Sequence, residues 1–157
     1  MSGSVEARLQ ALELSVPTAP TPAANYIPWV RTGNLVYVAG QVPMKEGEFL
    51  WVGKVGREYT VEQAKEAARF VGLNILSQLK AALDGDLDRV VQIVKLNGFV
   101  NCVEGFGQQP HVINGCSELM IQVFGDAGRH ARSAVGVAGL PFGVAVEIDG
   151  VFEVSDR

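Results

Sequence analysis

A chain of 157 residues can bury one hydrophobic core and is short for two ordinary domains. Its net charge of -4 and pI of about 5.2 provide no basic field to attract nucleic acid or anionic lipid. No apolar run reaches membrane-spanning length, and Met1-Ser2-Gly3-Ser4-Val5-Glu6 lacks a basic segment followed by an apolar one, so the expected location is the cytoplasm.

Val5, Leu9 and Leu12 recur at near-helical spacing with polar residues between them, which predicts a short amphipathic helix over 4–14. Pro17, Pro20 and Pro22 cannot continue it and favour an extended connector, so residues 1–22 form an N-terminal helix and linker within one domain, 1–157. From Trp29 to Pro43, two strand-like runs flank the turn signal Thr32-Gly33-Asn34 and predict a hairpin. The Gly-rich stretch 44–57 reads as a loop with a short strand over 49–52. Thr60 stands three residues before Gln63, a capping box, and opens a helix to about Leu83 with Ala64, Ala68, Val71, Ile75 and Leu79 on one stripe. Val90 to Cys102 reads as a long strand with Gly98 as a candidate bulge. His111 to Phe124 follows as a second helix, ended by Gly125.

The last third, Arg129 to Ile148, reads as two strands joined by a turn at Gly139-Leu140-Pro141-Phe142-Gly143. Val144, Val146, Ile148, Phe152 and Val154 alternate with Ala145, Glu147, Asp149 and Glu153, the pattern of a strand with one dry and one polar face. The order ββ(β)αβαββ points to one α+β layer pair, a mixed sheet with helices on one face. Nothing further in the chain covers the other face, which predicts self-association.

In a hairpin centred near Leu140-Pro141, Arg132 falls opposite Asp149, with Glu147 one same-face step away. An exposed cross-strand ion pair is the commoner outcome of such spacing. The alternative is a site in which the arginine fork holds a carboxylate and the glutamate handles water or a proton. Tyr26 and Trp29 near the first strand are core or interface residues, or the wall of a pocket. His111, His130, Cys102 and Cys116 fit no metal-ligand spacing, and the cysteines read as reduced, small and buried. With no G-x-G-x-x-G or G-x-x-x-x-G-K pattern, no cofactor and no metal are expected.

Three stretches together resemble the RidA/YjgF family of reactive-intermediate deaminases, also labelled endoribonuclease L-PSP-like. They are Gly33 through Gly40 to Pro43, Asn114, and Arg132-Ser133 through Leu140-Pro141 to Glu147-Ile148. The likeness spans about 22–154, and Asn114-Gly115 with Arg129-His130-Ala131-Arg132 places it nearest a longer-chain subgroup. The resemblance implies a chorismate-mutase-like fold of the bacillus type, a mixed sheet packed by two helices, closed as a homotrimeric central barrel with clefts between subunits. It implies a small carboxylate or imine substrate, 2-aminoacrylate or a relative, hydrolysed to a keto acid and ammonia. By the same resemblance Arg132 clamps the substrate carboxylate, Glu147 positions or activates water, and Gly40, Asn114 and Tyr26 line the cleft. Ala134 stands where typical members carry cysteine, and the longer loop 44–59 bears Trp51, placed to reshape the cleft. These departures admit a non-catalytic module that binds small carboxylates on the same fold. The ribonuclease label finds no basic stripe to support it.

Overall fold

Thr60 and Gln63 close the capping box that starts the main helix. Gln63 N–H donates to Thr60 Oγ1 (3.2 Å) and Thr60 N–H to Gln63 Oε1 (2.9 Å), so helix α2 runs Val61–Ala82. The structure, a computed structural model, describes residues 3–20 and 25–156. Helix α1 (Ser4–Ala11) precedes the hairpin of β1 (Trp29–Thr32) and β2 (Leu35–Gln41). The expected connector over 17–22 lies partly outside the described residues. Two short strands, β3 (Met44–Lys45) and β4 (Glu48–Phe49), pair with each other ahead of α2. Strand β5 (Val90–Asn101), helix α3 (Gln109–Phe124), strand β6 (Ala131–Val137) and strand β7 (Val146–Val154) complete the chain.

The main sheet has the order β1-β2-β7-β5-β6, all pairs antiparallel except β5 with β6. This corrects the terminal hairpin expected from the sequence. Helix α3 is a crossover that returns the chain parallel to β5, which places β6 on the outer edge of the sheet. Strand β7 takes the other side of β5 and pairs with β2 as well, so β5 separates β6 from β7. Alternation fixed the faces of β7 and left its neighbours open. Asp149 consequently does not face Arg132; its Oδ1 accepts Asn97 Nδ2–H at 2.7 Å.

Helices α2 and α3 cover one face. Val36, Val38, Ile93, Leu96, Ile148 and Phe152 of the sheet are buried there against Val71, Ile75, Leu79, Ile113, Cys116 and Met120. Gly98 is no bulge: it stays in register with Ile148 and Ala134, and the irregularities fall at Val90/Gln92 and Ile93/Lys95. A Cβ on Gly98 would lie 2.6 Å from the Ile113 side chain, so close helix packing is its reason. Gly115 serves the other side of α3, where a Cβ would meet the Lys65 carbonyl oxygen at 2.0 Å. The loop 44–59 is pinned to the rest of the fold, among other contacts, by stacking and a backbone hydrogen bond. Phe49 stacks on Phe142 (4.2 Å between centroids), Trp51 packs against Phe70 of α2, and the Trp51 carbonyl accepts Ala145 N–H at 2.9 Å.

The second face of the sheet carries Val30, Tyr37, Phe99, Val135 and Val151 together with Glu147 and Asp149, as the register and alternation require. No helix of the chain packs over it among the described residues. Those residues also contain no helix long and apolar enough to cross a membrane.

Candidate functional site

Arg132 is the second residue of β6 and faces the helices. Its Nη1 donates to Asn114 Oδ1 (2.7 Å) and to Ser117 Oγ (3.1 Å), both on α3. Residues three apart on a helix share a face, so Asn114 and Ser117 grip one nitrogen together. Among the described residues neither Nε nor Nη2 of Arg132 has a hydrogen-bond partner, and no carboxylate lies within ion-pair distance. A half-buried guanidinium therefore presents its Nε/Nη2 edge unpaired, in the fork geometry that suits a planar carboxylate. The ion pair with Glu147 that spacing alone suggested is not formed.

Ser117 continues the network. Its Oγ lies 2.9 Å from His130 Nε2, and His130 Nδ1 lies 2.6 Å from the Gly128 carbonyl oxygen. Burial lowers the His130 pKa, the Gly128 hydrogen bond opposes that, and the Arg132 charge lowers it further. The sequence singled out His130 only as a metal-ligand candidate of unsuitable spacing and as part of the Arg129-His130-Ala131-Arg132 element, and did not single out Ser117, because their relation to Arg132 exists only once α3 lies against β6. Beneath them Cys116 is fully buried, and desolvation pushes its thiol up to about 12, against the pull of Arg132. Such a thiol stays protonated and inert. Ala134 follows Arg132 by two residues on the same face and packs against the core, with no polar group to offer.

Glu147 and Gly40 meet elsewhere. Glu147 is half-buried on the uncovered face of β7, and a Cβ on Gly40 would lie 2.8 Å from its Oε2. Gly40 sits where β2 and β7 shift register between Val38 and Gln41, and its missing side chain leaves the carboxylate its space. Desolvation raises the Glu147 pKa, and the like charge of Asp149 two residues on raises it further. Tyr26, 60% exposed, precedes β1 at the same end of the hairpin, where Ala39 N–H donates to the Pro28 carbonyl at 2.8 Å.

The candidate residues thus fall into two groups. Arg132 and Asn114 lie at the β6 edge on the helix side; Gly40, Glu147 and Tyr26 lie toward the β1–β2 side of the sheet. Within one chain Arg132 and Glu147 stand two strand spacings apart (~10 Å) and three residues along the strand (~10 Å), on opposite faces. A three-carbon acid on Arg132 does not reach Glu147 of the same chain.

Comparison with known proteins agrees with this architecture. The profile of the family described as "YjgF/chorismate_mutase-like, putative endoribonuclease" matches residues 6–146. Protein TCP17 of Trypanosoma cruzi is 47% identical over 156 residues, covering 99% of this chain and 97% of its own. The crystal structure of Atu1372 from Agrobacterium tumefaciens, a protein of unknown function, superposes with a TM-score of 0.90 at 48% identity, covering 97% of this chain and 93% of that one. The 2-iminobutanoate/2-iminopropanoate deaminase of Dermatophagoides farinae is 28% identical over 138 residues, covering 88% of this chain and 92% of its own. With a mixed sheet backed by two helices and a match over most of its length, the chain belongs to the RidA/YjgF family.

Proposed function

We propose that the protein hydrolyses small imine and enamine acids, of the 2-aminoacrylate type, to keto acid and ammonia in clefts completed by two neighbouring subunits. The observation that carries this reading is the Nε/Nη2 edge of Arg132, which has no hydrogen-bond partner and no carboxylate among the described residues while Asn114 and Ser117 hold Nη1. A substrate carboxylate supplies the missing partner through two parallel charge-assisted hydrogen bonds. The relative named as an iminobutanoate/iminopropanoate deaminase supports the substrate class. The split of candidates across the sheet supports a composite cleft, Arg132 and Asn114 of one subunit meeting Gly40, Glu147 and Tyr26 of the next.

The chemistry asked of the residues is modest. The enamine tautomerises to a 2-imino acid; water adds to the imine carbon; the C–N bond then breaks and ammonia leaves, giving the keto acid. Glu147, its pKa raised by burial and then by Asp149, takes a proton from the attacking water and gives it to the imine nitrogen, then carries the hydroxyl proton of the resulting carbinolamine to the departing amine. Arg132 holds the non-reacting carboxylate and with it the substrate in the cleft.

Freshly generated 2-aminoacrylate, followed by keto-acid release, is the test. The expected result is acceleration over buffer, with Arg132→Ala lowering kcat/KM about a hundredfold through loss of a bidentate charged contact. Full activity in that variant, or no acceleration by the native protein, overturns the reading. Carboxylate binding through Arg132 without turnover would assign a non-catalytic binding module instead.

A further inference from the structure

We propose that Ser117 and His130 are positioning residues for Arg132. Together they form a hydrogen-bond chain of fixed polarity that holds the Nη1 edge of the guanidinium and leaves the Nε/Nη2 edge turned toward a carboxylate. The inference rests on Arg132 being the carboxylate clamp, as argued above, and adds what sets its aim.

The polarity follows from the two ends. A guanidinium only donates, and a peptide carbonyl only accepts. Arg132 Nη1–H therefore gives to Ser117 Oγ at 3.1 Å, and at the far end His130 Nδ1–H gives to the Gly128 carbonyl at 2.6 Å. The imidazole is then the tautomer with its lone pair on Nε2, which faces Ser117 Oγ at 2.9 Å. The one hydroxyl hydrogen of Ser117 has a single place to go, the Nε2 lone pair. Serine thus accepts from arginine while donating to histidine, and no member can turn without breaking a neighbour's bond. Asn114 Oδ1 takes Nη1 from a second direction at 2.7 Å, so the nitrogen is triangulated by two residues of α3.

The surroundings keep the ring neutral. His130 is partly buried, and Arg132 is the charge that acts on it; both lower its pKa, which preserves the acceptor at Nε2. The nearby charges are already matched, since Asp126 pairs with Arg129 at 3.7 Å and Glu118 with Lys65 at 3.2 Å. No carboxylate competes for the guanidinium among the described residues.

The consequence is kinetic. A clamp on the non-reacting carboxylate binds ground state and transition state alike, so loosening it raises KM and spares kcat. Ser117→Ala and His130→Leu should each raise KM for the imino acid about tenfold, with kcat within about twofold. Ser117→Thr keeps the hydroxyl and His130→Gln keeps an acceptor, so both should stay near wild type. The double variant Ser117→Ala/His130→Leu should be no worse than either single change, because one chain is broken once. A merely structural role would lower thermal stability and kcat together and would not be rescued by Thr or Gln.

A second readout needs no ligand. The Arg132 Nη1 hydrogens in low-temperature nitrogen-15 spectra should exchange slowly and stay distinct from those of Nη2 in the native protein and in Ser117→Thr, and should average with them by faster Cζ–Nη rotation in Ser117→Ala and His130→Leu. Unchanged KM in both removal variants, additive effects in the double variant, or an Arg132 signal indifferent to them would overturn the proposal. Absence of any Arg132-dependent turnover or binding would sink the clamp reading, and the spectra would then judge the hydrogen-bond chain alone.

Discussion

The Glu147 carboxyl lies in a place that penalises its charge. Burial on the sheet and the Asp149 carboxylate beside it both raise its pKa above the ordinary 4.5. Below 4.5 the group is protonated in the folded and unfolded chain alike, and its contribution to stability is fully present. As pH rises from 4.5 through the folded-state value, the unfolded chain releases the proton first and that contribution is lost. Glu147→Gln is therefore expected to be more stable than the native protein at pH 7 and indistinguishable from it below 4.5, as followed by urea unfolding across that range. A difference that grows toward acid would contradict the assignment. The same substitution removes the proposed proton carrier, so stability and turnover should move in opposite directions, the usual cost of keeping a destabilised group at a working site. Gly40 belongs to this account, because a side chain there would occupy the carboxylate's space.

Helix α1 shows how an element too short to stand alone is held by its surroundings. Eight residues form no stable helix in isolation, and the N-cap position, Gly3, has no side chain to offer. Asp88, from the 3-10 turn Leu87–Arg89, supplies the cap from across the fold: its carboxylate accepts Ser4 N–H at 3.0 Å, Ser4 Oγ–H at 3.1 Å and Val5 N–H at 2.9 Å. At the other end Arg8 Nη1 donates to the Val123 carbonyl at 3.1 Å. Asp88→Ala should cost about 1–2 kcal/mol, the worth of a lost helix cap. The loss should show as faster amide exchange over residues 4–11 with α2 unaffected and activity retained; global unfolding would mean that α1 carries more of the core than Val5 and Leu9 suggest. The helix itself was legible in the sequence, as was α2 from its capping box and the β1–β2 hairpin from its turn, because each depends on neighbours in the chain. Asp88 as a distant cap was not, and neither was β5 between β6 and β7. Periodicity assigns a strand its faces and is silent about its partners. Arg132 and Glu147 entered the sequence reading as a pair through an assumed hairpin that does not exist, and through a resemblance that names residues without saying which chain supplies them. The hydrogen-bond chain through Ser117 and His130 needed the packing of α3 on β6 before it could be seen.

At the scale of the molecule, the uncovered sheet face and the divided site raise one question. Val30, Tyr37 and Val135 are 48%, 46% and 47% exposed on that face, apolar area that a lone subunit leaves in water and that self-association would cover. If the cleft is shared between subunits, an Arg132→Ala subunit and a Glu147→Gln subunit fail for different reasons and can repair each other. Each homogeneous variant has every site defective. Co-expressed in equal amounts and assembled at random, about one site in four receives an intact Arg132 from one subunit and an intact Glu147 from its neighbour, whatever the size of the ring. Activity recovered to about a quarter of wild type, absent when the two purified variants are combined without subunit exchange, is the expected result. A site contained within one chain would give none, since no chain of the mixture carries both residues. The 1:1 mixture thus separates a shared site from a self-contained one for a ring of any subunit number. Sedimentation equilibrium on the same preparation then counts the subunits, with three expected and a monomer incompatible with any recovery.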